Sequence, residues 1–179
     1  MFLFRKSAIT SAVALALIAY TPAPVRAQAS AKLDDPTIVA IFDAANMWDM
    51  ETGQLAASRI RNAEIREFSR MLVRDHRMVR AQGRDLAKSL NVRPTPPSDF
   101  AMAKTHAQAM KKLRSLHGTA FNRAFLQNEI DFHNAVIDAV TKTLLPAIQN
   151  ARLKDLVTKV APAFVAHRDK AQSLLNNLE

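Results

Sequence analysis

From Pro36 onward, apolar residues recur every three or four positions almost without a break, and alternating apolar and polar stretches are nearly absent. That spacing is the period of an amphipathic helix, so the fold class that follows is all-α. Only three glycines are available to interrupt it. Asp35-Pro36 supplies a capping side chain and a proline suited to a first helical turn, starting a helix that runs to about Ile60. Asn62 is the plausible break before a second helix to Leu90, and Pro94, Pro96 and Pro97 then make a rigid linker. Ser98 or Asp99 is expected to cap a shorter helix ending at His117-Gly118, with the glycine in a left-handed closing conformation. Thr119 is expected to cap a third long helix reaching about Leu144 and closed by Pro146. A fourth covers roughly Asn150 to Leu178, with a kink at Pro162.

The first 27 residues read differently. Arg5 and Lys6 precede an apolar run from Ala8 to Tyr20, followed by Pro22, Pro24 and Val25-Arg26-Ala27 with small residues at the cleavage positions. This is the pattern of a secretory signal peptide, with cleavage expected after Ala27. The run is well short of the ~20 residues a membrane span needs, so no stable membrane insertion is expected after cleavage. Residues 28–35 form a flexible start and residues 36–179 one helical domain. A periplasmic or secreted location follows, and the absence of cysteine means that no disulfide supports the domain there. Cleavage removes Arg5, Lys6 and Arg26 and no acid, which lowers the net charge of +9 by three. The remaining basic excess could draw the protein to an anionic envelope surface, although a solvated basic face is the simpler and preferred account. Nucleic acid is not an expected partner, because the chain carries no groove-reading motif and export separates it from chromosomal partners.

Helical phase decides which polar groups face inward. On the fourth helix Leu153, Val157, Val160, Phe164, Ala171, Leu174 and Leu178 make one seam, and His167 occupies the slot between Phe164 and Ala171. On the second helix Asp75 and His76 straddle the centre of the seam formed by Ile65, Phe68, Leu72, Val79 and Leu86. Glu129 and His133, at i and i+4, share the apolar arc of the third. On the first helix the arc of Ile41, Ala45, Trp48, Thr52, Leu55 and Ala56 places Asp49 just inside and Glu51 at the opposite edge. His106 and His117, on or beside the short helix, receive no functional role. Asp49, His76, His133 and His167 each lie near the middle of their own helix, so they meet at mid-height whichever way the helices run. Unpaired in a bundle core, such groups cost several kcal/mol each, so they must satisfy one another, water or a cation.

Four segments carry a family resemblance: Asp49-Met50-Glu51-Thr52-Gly53-Gln54-Leu55-Ala56, Met71-Leu72-Val73-Arg74-Asp75-His76, Phe121-Asn122-Arg123-Ala124-Phe125 leading to His133, and Ala161-Pro162 leading to His167. From about Pro36 to the C-terminus the chain resembles exported bacterial proteins of the family called domain of unknown function 4142, placed in the ferritin-like superfamily. The resemblance implies a ferritin-like four-helix bundle with a long crossover, holding the short extra helix, between its second and third core helices. It also implies that Asp49, Asp75, His76, His133 and His167 are the recurrent polar positions. The chain departs from ferritin-like di-iron proteins in having no Glu-x-x-His element, and from many family members in having Asp rather than Glu at position 49.

Three readings of the polar centre stand side by side. Neutral imidazoles with one or two carboxylates suit Zn, Fe, Mn or Cu, with Asp49, Asp75, His76, Glu129, His133 and His167 as the candidate metal residues. A metal-free hydrogen-bonded layer that fixes helix register is the second. The third is a cell-envelope interaction module whose basic surface matters and whose core is packing. No nucleophile-elbow glycines, His-Glu-x-x-His or phosphate-cradling loop is present, so no catalytic group is assigned.

Overall fold

A computed structural model describes residues 33–178. The expected signal segment 1–27, its cleavage site and most of the flexible start lie outside the described residues. The described chain is helical throughout, without strands: α1 (Asp35–Arg59), α2 (Ala63–Ser89), α3 (Ala101–Ser115), α4 (Gly118–Ala139), α5 (Leu145–Ala147) and α6 (Ala151–Asn176). None of these helices is long and apolar enough to cross a membrane.

The helix ends show how the chain is cut into these rods. Asn62 caps α2, its side-chain oxygen accepting from the backbone N–H groups of Glu64 and Ile65 at 3.0 and 3.1 Å. Asn150 caps α6 in the same way. At α1 the cap is Asp34, one residue earlier than expected, with its Oδ1 3.0 Å from the Thr37 N–H. Asp35 is thereby released to accept from the backbone N–H groups of Gln149 and Asn150, both at 2.9 Å, which ties the start of α1 to the turn before α6. Neither Ser98 nor Asp99 caps α3. Phe100 takes the cap position without a side-chain bond, held by its ring contact with Trp48 at 5.0 Å between centroids.

Thr119 does not cap α4 either. Gly118 adopts the left-handed conformation (φ 56°), but it opens α4 behind His117 rather than closing α3. The third long helix does not run α-helically to Leu144: α4 ends at Ala139 and a π turn covers Val140–Leu144. Two local causes act there. The Thr141 hydroxyl donates to the Ile137 carbonyl at 2.8 Å, and Pro146 brings no N–H to continue the ladder. By contrast α6 remains helical through Pro162.

α1 packs along α2 and α4 along α6, and the two pairs meet through α2 with α6 and α1 with α4, while α3 lies against α4. Gly53 sets the closeness of the first pair. A Cβ there would stand 3.0 Å from both the Ser69 carbonyl oxygen and Val73 Cγ2. The inward face of α1 keeps Trp48, Thr52 and Ala56 of the expected arc but not the rest of it. Ile41, Ala45 and Leu55 are half-buried, whereas Ile38, Phe42, Asn46, Asp49, Gly53 and Ala56 face the interior.

The apolar core falls into two clusters, one including Ile38, Phe42, Val79, Val136, Val157 and Phe164, the other including Ala56, Leu72, Phe125, Leu126, Ala171 and Leu174. Each long helix contributes to both. On every one of them the residues of the two clusters are separated by a buried polar residue: Asp49 on α1, His76 on α2, His133 on α4 and His167 on α6.

Candidate metal centre

Asp49, His76, Glu129, His133 and His167 are each at most 4 % exposed, so bulk water satisfies none of them. Their side chains converge. His76 Nε2 lies 3.2 Å from His167 Nδ1 and 3.5 Å from Asp49 Oδ2, and His133 Nε2 lies 3.4 Å from the same Asp49 oxygen. Two overlapping groups of potential ligands result, His76 with His133 and His167, and Asp49 with Glu129 and His133, with ligand atoms within 4.8 Å of one another in each. These buried groups can hold a metal ion.

The outer nitrogen of every imidazole is occupied, and its partner fixes the tautomer. The Asn46 amide donates to the Phe42 carbonyl at 2.7 Å, which leaves its oxygen to accept from His76 Nδ1 at 2.9 Å. His133 Nδ1 donates to the Glu129 backbone carbonyl at 2.9 Å. His167 Nε2 donates to Asp75 Oδ2 at 3.1 Å. Each neutral ring therefore carries its proton on the outside and aims a lone pair inward, from His76 Nε2, His133 Nε2 and His167 Nδ1. Phe164 stacks on the His76 ring and holds its plane.

The titration behaviour follows from the same enclosure. Burial lowers all three histidines: His76 well below its ordinary range, with the neighbouring His133 and His167 adding to the shift; His133 to about 4; and His167 against the upward pull of Asp75. Burial and the adjacent Glu129 raise Asp49 well above the usual carboxylate range, and burial raises Glu129 to about 7 against the pull of nearby Thr52 and Asn128. Without a cation, then, the histidines stay neutral and the Asp49–Glu129 carboxyl pair retains a proton between them. That proton satisfies one contact. Asp49 Oδ1 and Oδ2, Glu129 Oε2 and His133 Nε2 otherwise have no hydrogen-bond partner among the described residues.

Five of the six residues expected at the site are thus brought together in the interior. Asp75 stands outside it. Its side chain is 36 % exposed and touches the site through His167, while its sequence neighbour His76 points in. Sequence reasoning missed Asn46, although Phe42, Asn46, Asp49, Gly53 and Ala56 recur at four- and three-residue intervals that mark the inward face of α1. It also missed His106. That residue lies on α3, donates from Nε2 to Glu51 Oε2 at 2.8 Å and stacks on Trp48.

The family profile described as domain of unknown function DUF4142 matches residues 20–174. The chain belongs to the DUF4142 family. The match runs past His167, so every residue of the site lies within the DUF4142 segment. No curated protein and no solved structure matches the chain.

Proposed function

We propose that this DUF4142 protein is an exported, ferritin-like helical bundle that holds one transition-metal ion at its centre, on Asp49, His76, His133 and His167. Asp75, Asn46 and the Glu129 backbone orient the three imidazoles from outside, as partners of metal-bound histidines do. Glu129 is the neighbouring carboxyl that shares a proton with Asp49 when the metal is away.

One observation carries this reading: acceptor atoms on four helices form a buried chain, His167 to His76 at 3.2 Å, His76 to Asp49 at 3.5 Å and Asp49 to His133 at 3.4 Å, with all three ring protons committed elsewhere. Facing lone pairs repel, and a cation turns that repulsion into coordination. These three separations are close to the ~3.3–3.4 Å edge of a tetrahedron built on bonds of ~2.0–2.1 Å, the imidazole trio lies within 4.8 Å, and three imidazoles with one carboxylate suit zinc or another late first-row ion. Export and a periplasmic location rest on the N-terminal segment alone.

The metal-free hydrogen-bonded layer is the alternative, favoured by the proton that Asp49 and Glu129 retain. Elemental analysis of protein purified from its native compartment without a chelating tag distinguishes the two. The proposal expects close to one equivalent of metal and a rise in melting temperature when that metal is added back to stripped protein. No metal, together with no thermal response to Zn, Mn, Fe or Cu, overturns it.

A further inference from the structure

A centre whose donors are all buried inside a bundle needs a way for the ion to arrive. Two spaces border the site. On the side of His76 and His133 is a void of about 20 Å³, walled by Phe42, Val136 and Phe164. It is walled largely by apolar side chains and has room for about one water molecule, too little for a hydrated cation. On the other side a cleft of about 280 Å³ lies between α1, α3 and α4, many times the ~30 Å³ share of one water molecule. Of the four proposed donors, Asp49 is the one that lines it, and both its carboxylate oxygens lack partners. Thr52, Asn128 and Asp131 continue the wall outward, and the hydrogen-bonded His106–Glu51 pair sits at the edge where α3 covers the cleft. No lysine or arginine lines it among the described residues, although cationic side chains far outnumber anionic ones in the chain as a whole.

We infer that this cleft is the exchange route of the metal centre: a partly hydrated divalent cation enters past Asp131, sheds water against Asn128 and Thr52, and is handed inward by Asp49. The route rests on the metal-binding reading above. It makes the centre one that loads and unloads through the cleft under α3, with the buried Asp49 carboxylate at its inner end, rather than one sealed in during folding. An acidic entrance on a basic protein also concentrates cations where they are needed and makes their arrival sensitive to salt.

The test is stopped-flow loading of metal-stripped protein with Co²⁺, read by visible absorption of the bound ion and by quenching of Trp48, the single tryptophan, which stands in the cleft wall. Ala135→Phe fills the cleft from α4 without touching a donor, and Ala109→Phe fills it from α3 should the first variant fold poorly. Either is expected to slow loading about tenfold or more while the final stoichiometry stays that of the wild type. Asp131→Asn is expected to slow it by a smaller factor and to flatten its salt dependence. Val165→Phe, beside a surface cleft that none of the four donors lines, serves as the control and is expected to load at the wild-type rate. Wild-type loading rates in both filled variants, or equal slowing by Val165→Phe, overturn the route and leave the centre standing. Wild-type protein that takes up no Co²⁺ removes both.

Discussion

Asp75 and His76 are neighbours in the chain that serve the same centre from opposite sides: the His76 ring enters it, while the Asp75 carboxylate grips His167 Nε2 at 3.1 Å from its outer edge. Adjacent helical residues diverge by ~100°, so one dipeptide on α2 both supplies a donor and aims the donor of α6. Asp75→Ala is therefore expected to weaken metal affinity about 10–100-fold, measured by competition with a chromogenic chelator. Asp75→Asn keeps an acceptor for the ring N–H and should lose less. Equal affinity in the wild type and the alanine variant would falsify the orienting role.

Asp49 is the donor whose ionised form the interior tolerates least, since burial and Glu129 both favour its protonated state. Asp49→Asn removes the titration and gives the buried position an amide that can donate to an inward-facing imidazole lone pair. In metal-stripped protein it is expected to be neutral or stabilising by about 1–2 kcal/mol in chemical denaturation. The same variant should show no stabilisation by added metal. A loss of stability in the stripped variant would contradict the assignment of Asp49 as an uncompensated buried carboxyl.

Stability against pH separates the histidines from the acids. His133 titrates near 4 in the folded protein and 6.5 when free, so between those values the unfolded chain binds the extra proton and folding weakens as pH falls. His76 and His167, also lowered, act in the same direction. Glu129 titrates near 7 against an ordinary 4.5, so in that window the folded protein holds the extra proton and folding weakens as pH rises, with Asp49 acting alike. Below 6.5 the lowered histidines and the raised acids pull in opposite directions, and above it the acids act alone. Melting temperatures of stripped protein are expected to fall as pH rises past 6.5. Bound metal, which requires the ionised carboxylate, should remove the alkaline decline and release about one proton as it binds at neutral pH. A stripped protein whose melting temperature holds or rises above pH 6.5 would contradict this account.

Gly53 lets α1 and α2 approach about one turn from the level where Asp49 and His76 meet. Gly53→Ala places a methyl 3.0 Å from the Ser69 carbonyl and from Val73 Cγ2. The backbone oxygen has little room to move, so a cost of about 1–3 kcal/mol is expected in denaturant unfolding. Metal affinity should fall as well, because separating the two helices separates two donors. Unchanged stability and affinity would show that the close approach is incidental.

Much of this was legible in the sequence because the polar residues interrupt apolar seams of regular period. His167 between Phe164 and Ala171 is the clearest case, and Glu129 and His133, four apart on one arc, are the next. Asn62 was legible as a boundary because its side chain can serve two backbone donors where no glycine or proline stands. The remainder was hidden for physical reasons. Asn46 is uncharged and sits on a helix whose apolar residues are too many to fix a phase, so its inward position emerges from packing against α2. The His106–Glu51 bond joins residues 55 apart on different helices, beyond anything helical spacing can report. The π turn at Val140–Leu144 reflects a hydroxyl competing for a carbonyl, which proline punctuation alone does not reveal.

The distribution of donors along the chain has a mechanical consequence. Asp49 and His76 arrive with the antiparallel hairpin of α1 and α2, His133 and His167 with that of α4 and α6, and the direct packing within each hairpin is more extensive than that between them. A single ion at the centre would therefore act as a rivet across the seam between the two hairpins. Loading and unloading it would fasten and loosen one half of the protein against the other.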